Sequence, residues 1–194
     1  MCIRDSLHAD HCLDLCGYYV LRKYHPRGPQ PRLPVYGPSD TPGRMARAYD
    51  LPEDPGMTAE FDFRTYDGVV EIGPFAVVAV PLVHPVEAYG LRVTVGDASI
   101  AYTGDSGPCE ALDELAAGAD LLLAEASFRD GDDNPVDIHL TGADGGALAA
   151  RAQVGRLVMT HIPPWFDKQE LLAEAQHAWD GPAELARPGA VYEV

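Results

Sequence analysis

Apolar residues recur at helical spacing from the first turns of the chain. Across residues 10–24, Cys12, Leu15, Cys16, Tyr19 and Val20 fall on one helix face, with Asp10 at the start, where a carboxylate meets the positive end of the helix dipole. Pro26 to Pro34 reads as a proline-broken loop, overlapping a short strand near Leu33–Tyr36. Thr41–Tyr49 suits a second helix, with Pro42 in its first turn, where no N–H is needed. The period then changes. "EFDFRTY", "VVEIGPFAVVAVPLV", "YGLRVTV" and "ASIAYTGD" are β-rich runs cut by Gly, Pro and Asp, the pattern of consecutive antiparallel strands.

From Cys109 onward helix and strand alternate through "CEALDELAAG", "ADLLLAEA", "GADGGALAARAQV", "RLVMTH", "KQELLAEAQHAW" and a final strand in "GAVYEV". The class is therefore mixed α/β. No internal repeat, low-complexity tract or linker divides the chain, so residues 7–194 read as a single domain.

Composition narrows the function. With 194 residues, 46% of them apolar, one domain can bury a sizeable core. No stretch approaches the roughly 20 consecutive apolar residues of a membrane span, and Met1–Asp10 lack the apolar centre of a signal peptide. A cytoplasmic protein with no membrane partner is expected. The net charge of −16 argues against a nonspecific grip on nucleic acid, which needs clustered Lys and Arg. A small anionic substrate stays open, because bound metal ions reverse the local field. Cys2, Cys12, Cys16 and Cys109 form no C-x-x-C pair and no disulfide framework, as expected of reduced thiols.

The candidate chemistry gathers at strand ends. "SIAYTGD" places Asp105 past an apolar strand, after a glycine that permits a tight turn. "RLVMTH" does the same for His161, and "VAVPLVH" for His84. His8, Asp10 and His11 add an H-x-D-H run ahead of the first helix. Each residue alone has an ordinary explanation, as a core or loop histidine or a turn aspartate that accepts backbone N–H bonds. Six together, all at strand ends or a helix start, point to a metal site assembled from distant sequence.

These segments resemble the metallo-β-lactamase fold, in particular its ribonuclease Z-like and phosphodiesterase branch. Its signature is H-x-H-x-D-H, a separate His, an Asp in a "[YF]-[ST]-G-D-[ST]" turn and a last His after a strand. Here His8, Asp10 and His11 match the second half of the first motif. "VHPVEAYG" matches the third-histidine segment, "AYTGDSGPCEAL" the aspartate segment and "MTHIPPW" the last histidine. The resemblance implies an αββα four-layer sandwich. The "GHT" motif of glyoxalase- and lactamase-type members is absent.

By this resemblance two divalent ions are expected, Zn²⁺ first, with Mn²⁺ or Fe²⁺ as alternatives. One would take His8 and His84, the other Asp10, His11 and His161, with Asp105 bridging. Such a pair, about 3.5–4 Å apart, activates a water to hydroxide at neutral pH and draws a phosphodiester into line. Asp10 is therefore counted among the catalytic residues as well as the ligands. His139, in "DIHLTG", matches the histidine that protonates the leaving oxygen in ribonuclease Z, and Glu125, in "LAEAS", matches that family's relay glutamate. Ala124 stands where the relay has a histidine, so a shorter relay is expected. A solvated loop histidine is the plain alternative for His139.

One departure concerns the start. Ser6 occupies the place of the family's first histidine, and family members carry further strands before the motif. "MCIRD" reads as the translation of a sequencing-library adapter, so residues 1–6 are expected to be non-native and the fold to lack its N-terminal strands. Only 20 residues separate His84 from Asp105, too few for the basic arm with which ribonuclease Z grips tRNA. The expected activity is hydrolysis of a cyclic nucleotide or other small phosphodiester. Alternatives are tRNA 3′ processing and, from another class, an inactive fragment of such an enzyme. A homodimer is compatible with the sequence.

Overall fold

The structure is a computed structural model that describes residues 1–194. The chain forms two compact units, Met1–Asp67 and Gly68–Val194.

The first unit carries strand β1 (Cys2–Ile3), helices α1 (Ala9–Cys12) and α2 (Asp14–Lys23), strand β2 (Leu33–Tyr36), helix α3 (Thr41–Ala48) and strand β3 (Phe61–Arg64). Its sheet runs β1-β2-β3, all parallel, with Val35 opposite both Cys2 and Phe63. Cys12, Leu15 and Tyr19 pack inward against Val35, Met45, Met57 and Phe61. Val20, assigned to the same face, is exposed instead. The helix is interrupted at Leu13, and within α2 the buried stripe runs through Leu15 and Tyr19, while Val20, roughly 100° further round than Tyr19, faces water. A second correction concerns β3. Its apolar pattern suggested the start of an antiparallel run, yet it pairs parallel to β2, because α3 intervenes and a helical crossover returns the chain in the same direction.

The second unit is built on a seven-stranded sheet in the order β10-β9-β8-β7-β6-β5-β4. Strands β4 (Val69–Ile72), β5 (Phe75–Pro81), β6 (Tyr89–Val95) and β7 (Ala98–Tyr102) are antiparallel neighbours. Strands β8 (Leu121–Glu125), β9 (Leu157–Thr160) and β10 (Ala183–Leu185) continue parallel to β7. Helices α4 (Glu110–Ala116), α5 (Gly142–Arg151) and α6 (Lys168–Ala178) make the crossovers. Leu121, Leu122, Ala124 and Glu125 of β8 are all buried, as a central parallel strand covered on both faces requires. The core joins Leu112, Leu115, Leu122, Leu148, Leu157 and Leu171.

The final strand lies at Ala183–Leu185, and residues 189–194 form no strand, contrary to the reading of "GAVYEV". Three residues after a Gly-Pro pair carry no readable alternation. Their pairing to β9 comes from the tertiary fold.

One consequence of this topology positions the chemistry. β5 and β7 each oppose β6, so they share a direction with each other and with β8 and β9. Four strands therefore deliver their C-terminal ends to one edge of the sheet.

Candidate metal centre

That edge carries His84, Asp105, Glu125 and His161, each at or just beyond a strand end. Asp105 is buried and follows Gly104, whose φ of +57° makes the tight turn expected there. His161 directly follows β9 with φ +52°, a left-handed conformation that non-glycine residues rarely adopt. It is held there by Ser127. The Ser127 hydroxyl donates to the His161 carbonyl at 2.8 Å and lies 2.7 Å from His161 Nδ1. With its proton so used, the hydroxyl accepts from Nδ1–H and leaves Nε2 as the donor atom for a metal. His161 Nδ1 is also 3.4 Å from Asp105 Oδ1.

His84 is fixed by the same logic. Its Nδ1–H donates to the Ile138 carbonyl at 2.8 Å, which again makes Nε2 the metal-facing donor atom. The carbonyl comes within reach because three loops lie against one another. Gly107 N–H donates to the Val83 carbonyl at 2.8 Å, and a Cβ at Gly107 would sit 2.5 Å from Asp137 Cα. Only glycine allows the loop bearing His139 to pass so closely.

His139 sits between the other two imidazoles, its ring centre 5.4 Å from that of His84 and 5.8 Å from that of His161. Phe128 meets it edge-on at 5.1 Å. Its Nδ1 donates to Glu125 Oε1 at 2.8 Å. Glu125 is fully buried and accepts further bonds from the Ser106 N–H at 3.0 Å and the Ser127 N–H at 3.1 Å. Ala124 is buried, and Glu125 contacts His139 directly. Past His139, Thr141 and Asp144 form a reciprocal capping box that starts α5 and anchors the loop. Donor atoms of Asp105, His139 and His161 lie within 4.8 Å of one another.

The remaining candidates belong to the first unit. His8 precedes α1 as its N-cap without a side-chain capping bond, Asp10 is in the first turn and His11 in the last. His11 Nδ1 donates to Asp5 Oδ2 at 2.9 Å, and its Nε2 is 3.6 Å from Asp10 Oδ2. The Asp10 carboxylate is largely exposed, whereas Asp5 is buried. Ser6 is fully buried, and its hydroxyl has no hydrogen-bond partner.

Sequence reasoning missed the groups that hold these candidates, Ser106, Ser127 and the Ile138 carbonyl, and it assigned Asp5, which contacts His11, to a non-native start. Ser106 and Ser127 sit inside the quoted segments "TGDS" and "LAEAS", so adjacency to a ligand was the available signal. The donor set suits a divalent metal. Imidazole Nε2 atoms with fixed tautomers and a buried carboxylate converge, and each ring nitrogen facing away is already bonded.

Comparison with known proteins agrees. Residues 5–162 match the family described as "Beta-lactamase superfamily domain". The protein Rv1339 of Mycobacterium tuberculosis is 41% identical over 193 residues, an alignment covering 97% of this chain and 71% of that protein. A ribonuclease Z of Mycolicibacterium paratuberculosis is 32% identical over 201 residues, covering 89% and 69%. The crystal structure of the metallo-β-lactamase fold protein YhfI from Bacillus subtilis superposes with a TM-score of 0.84 at 25% identity, covering 98% of this chain and 76% of YhfI. In curated form that protein carries the name "Probable metallo-hydrolase YhfI". No helix is long and apolar enough to cross a membrane. The matched family, the fold it shares with YhfI and the convergent His and Asp side chains lead to one conclusion: the chain belongs to the β-lactamase superfamily, as one of its metallo-hydrolases.

Proposed function

We propose that the chain hydrolyses a small phosphodiester with the help of bound divalent metal, a cyclic nucleotide being the favoured class. The observation that carries this reading is the 2.8 Å Glu125–His139 bond beside the ligand cluster. The leaving alkoxide of a phosphodiester needs a proton, and a ring whose Nδ1 is engaged by a carboxylate can carry one on Nε2.

Size supports the same substrate class. The residues between His84 and Asp105 are largely consumed by the β6–β7 hairpin, which is paired within the sheet along its length. No arm is left over to grip a folded RNA, and the net charge of −16 opposes one.

His84 and His161 would hold metal through Nε2 and Asp105 through its carboxylate, and the family resemblance adds His8, Asp10 and His11 as further ligands. When bound, Zn²⁺, Mn²⁺ or Fe²⁺ would supply a hydroxide nucleophile near neutral pH and offset charge on the phosphoryl group. The chain's own side chains do the rest. Ser127 and the Ile138 carbonyl hold the His161 and His84 rings in one tautomer, and Asp5 does so for His11. Glu125 aims His139, whose Nε2 delivers a proton to the departing oxygen.

A substrate panel tests the reading. Bis(4-nitrophenyl) phosphate and a 3′,5′-cyclic nucleotide should be hydrolysed, while a β-lactam and a thioester are left nearly untouched. Comparable turnover of the β-lactam would overturn it. Ribonuclease Z-type processing is the second reading, favoured by the 32% identity to a ribonuclease Z. Efficient cleavage of precursor tRNA at its 3′ end, weakening steeply with added salt, would promote it.

A further inference from the structure

A cavity of about 410 Å³ opens beside His161, between the ends of β9 and β10 and the start of α6. It borders a second cavity of about 380 Å³ that shares Lys168, Leu185, Ala186, Arg187 and Pro188, so the two form one groove leading away from His161. Its position follows the general habit of parallel sheets, which bind ligands outside the carboxyl ends of their strands. The floor is apolar, with Met159, Ile162 and Leu185. The polar lining brings in Lys168 and Arg187, with the carboxylate of Glu184 in the second cavity.

The two cations stand out in this chain. Acidic residues number 30 against 14 basic ones, and Lys23 and Lys168 are the only lysines. Yet Lys168 has no ion pair in the structure. Arg187 has only a long contact, 3.8 Å from Glu184 Oε2. The other oxygen of Glu184 is taken by Arg156, so this carboxylate only partly neutralises Arg187. The backbone at Arg187 is also fixed. The Ala190 N–H closes a turn onto the Arg187 carbonyl at 3.0 Å, with Pro188 and Gly189 (φ +76°) at the positions a type II turn assigns them. The Arg187 N–H donates to the Tyr192 hydroxyl at 3.2 Å.

We propose that this groove is a specificity subsite for a second anionic group, a phosphate monoester, carried by the substrate on the alcohol that faces His161. It rests on the phosphodiester reading above and narrows it, within the small phosphodiesters, from a plain 3′,5′-cyclic nucleotide toward a diester bearing a further phosphate. Two cations match a phosphate monoester better than a carboxylate, because the former carries close to two negative charges at neutral pH. Arginine and lysine are the two side chains suited to it, and the apolar floor accommodates the carbon skeleton between the phosphates.

The test compares two 4-nitrophenyl phosphodiesters, the ethyl ester and the 2-(phosphonooxy)ethyl ester, which differ only in that phosphate. In the parent enzyme kcat/KM should favour the phosphorylated ester by about tenfold or more, the worth of one or two charge-assisted hydrogen bonds, with the gain in KM. In the Lys168→Ala/Arg187→Ala variant the ratio should fall to about one. Lys168→Arg should keep most of it. A ratio near one in the parent, or an unchanged ratio in the double variant, would overturn the subsite.

If neither ester is hydrolysed, the phosphodiester reading fails, and a binding measurement then decides the groove alone. Amine acylation followed by mass spectrometry reports on Lys168, with Lys23 as the internal reference. 2-Hydroxyethyl phosphate should slow labelling of Lys168 and not of Lys23. Equal rates with and without it would end the proposal.

Discussion

The two units present their candidate ligands in different ways. In the second, three histidines and an aspartate come from a sheet edge and its adjoining loop, and every imidazole has its outward nitrogen bonded: His84 to a backbone carbonyl, His161 to Ser127, His139 to buried Glu125. In the first, His8, Asp10 and His11 ride on a four-residue helix that begins without a side-chain cap, and Asp10 is largely exposed. His11 is held by the buried Asp5. A sheet edge fixes direction through the backbone of several strands, whereas one helical turn depends on single contacts. The second unit is accordingly the pre-organised half of the chemistry, and its supporting residues should matter more when removed.

His139→Ala should have the largest effect. Turnover is expected to fall by roughly 10²–10⁴, the worth of a positioned proton donor. Metal content, read by plasma emission spectroscopy, should hold, and the loss should shrink for a nitrophenolate leaving group. Since the donor atoms of His139 also approach those of Asp105 and His161, loss of metal in this variant would reassign it as a ligand.

Glu125→Gln comes next. It keeps the volume and acceptors for one of the two backbone N–H groups but loses the charge beside His139, so turnover should drop by about 10–100-fold. An unchanged rate would mean that the buried carboxylate only holds the Ser106 and Ser127 loops.

Gly107→Ala tests whether the close loop passage matters. The added Cβ would lie 2.5 Å from Asp137 Cα, and relieving that clash should cost about 1–3 kcal/mol of stability, read as a lower Tm, together with weaker turnover as the His84–Ile138 bond is disturbed.

The smallest effects should separate the units most finely. Ser127→Ala removes the anchor of His161, whereas Asp5→Asn takes only the charge from that of His11, so metal binding should weaken by more than about tenfold in the first and by about tenfold or less in the second. Titration of the chelated protein with Zn²⁺ measures both. A larger loss for Asp5→Asn than for Ser127→Ala would reverse the contrast between the units.

Much of this site was legible in the sequence because strand ends are. An apolar run followed by Gly-Asp or Thr-His marks both the strand and what it delivers, so His84, Asp105 and His161 were identified with their structural positions. Helices α3 to α6 were equally readable from their spacing. Strand direction was legible for β4–β7 but not for β3, and the position of β10 was not legible either. β3 and β10 take their partners from crossovers that no local pattern records, and β10 is only three residues long. The supporting bonds were hidden for the same reason. His84 is anchored 54 positions away, His161 34 and Ser106 19, and nothing in either local segment announces the other. Val20 was misplaced because the buried stripe of α2 is narrow: it runs through Leu15 and Tyr19, and Val20 lies roughly 100° further round the helix than Tyr19.

The central claim is that bound metal at this sheet edge drives phosphodiester cleavage, and removal and return of metal tests it most directly. Hydrolysis of bis(4-nitrophenyl) phosphate would be followed in the purified chain, after dialysis against a chelator, and again after adding Zn²⁺ or Mn²⁺. The account predicts activity that disappears with the metal and returns with it, and no return in His161→Ala at the same ion concentration. Hydrolysis that survives complete metal removal, or that returns equally in His161→Ala, would contradict it.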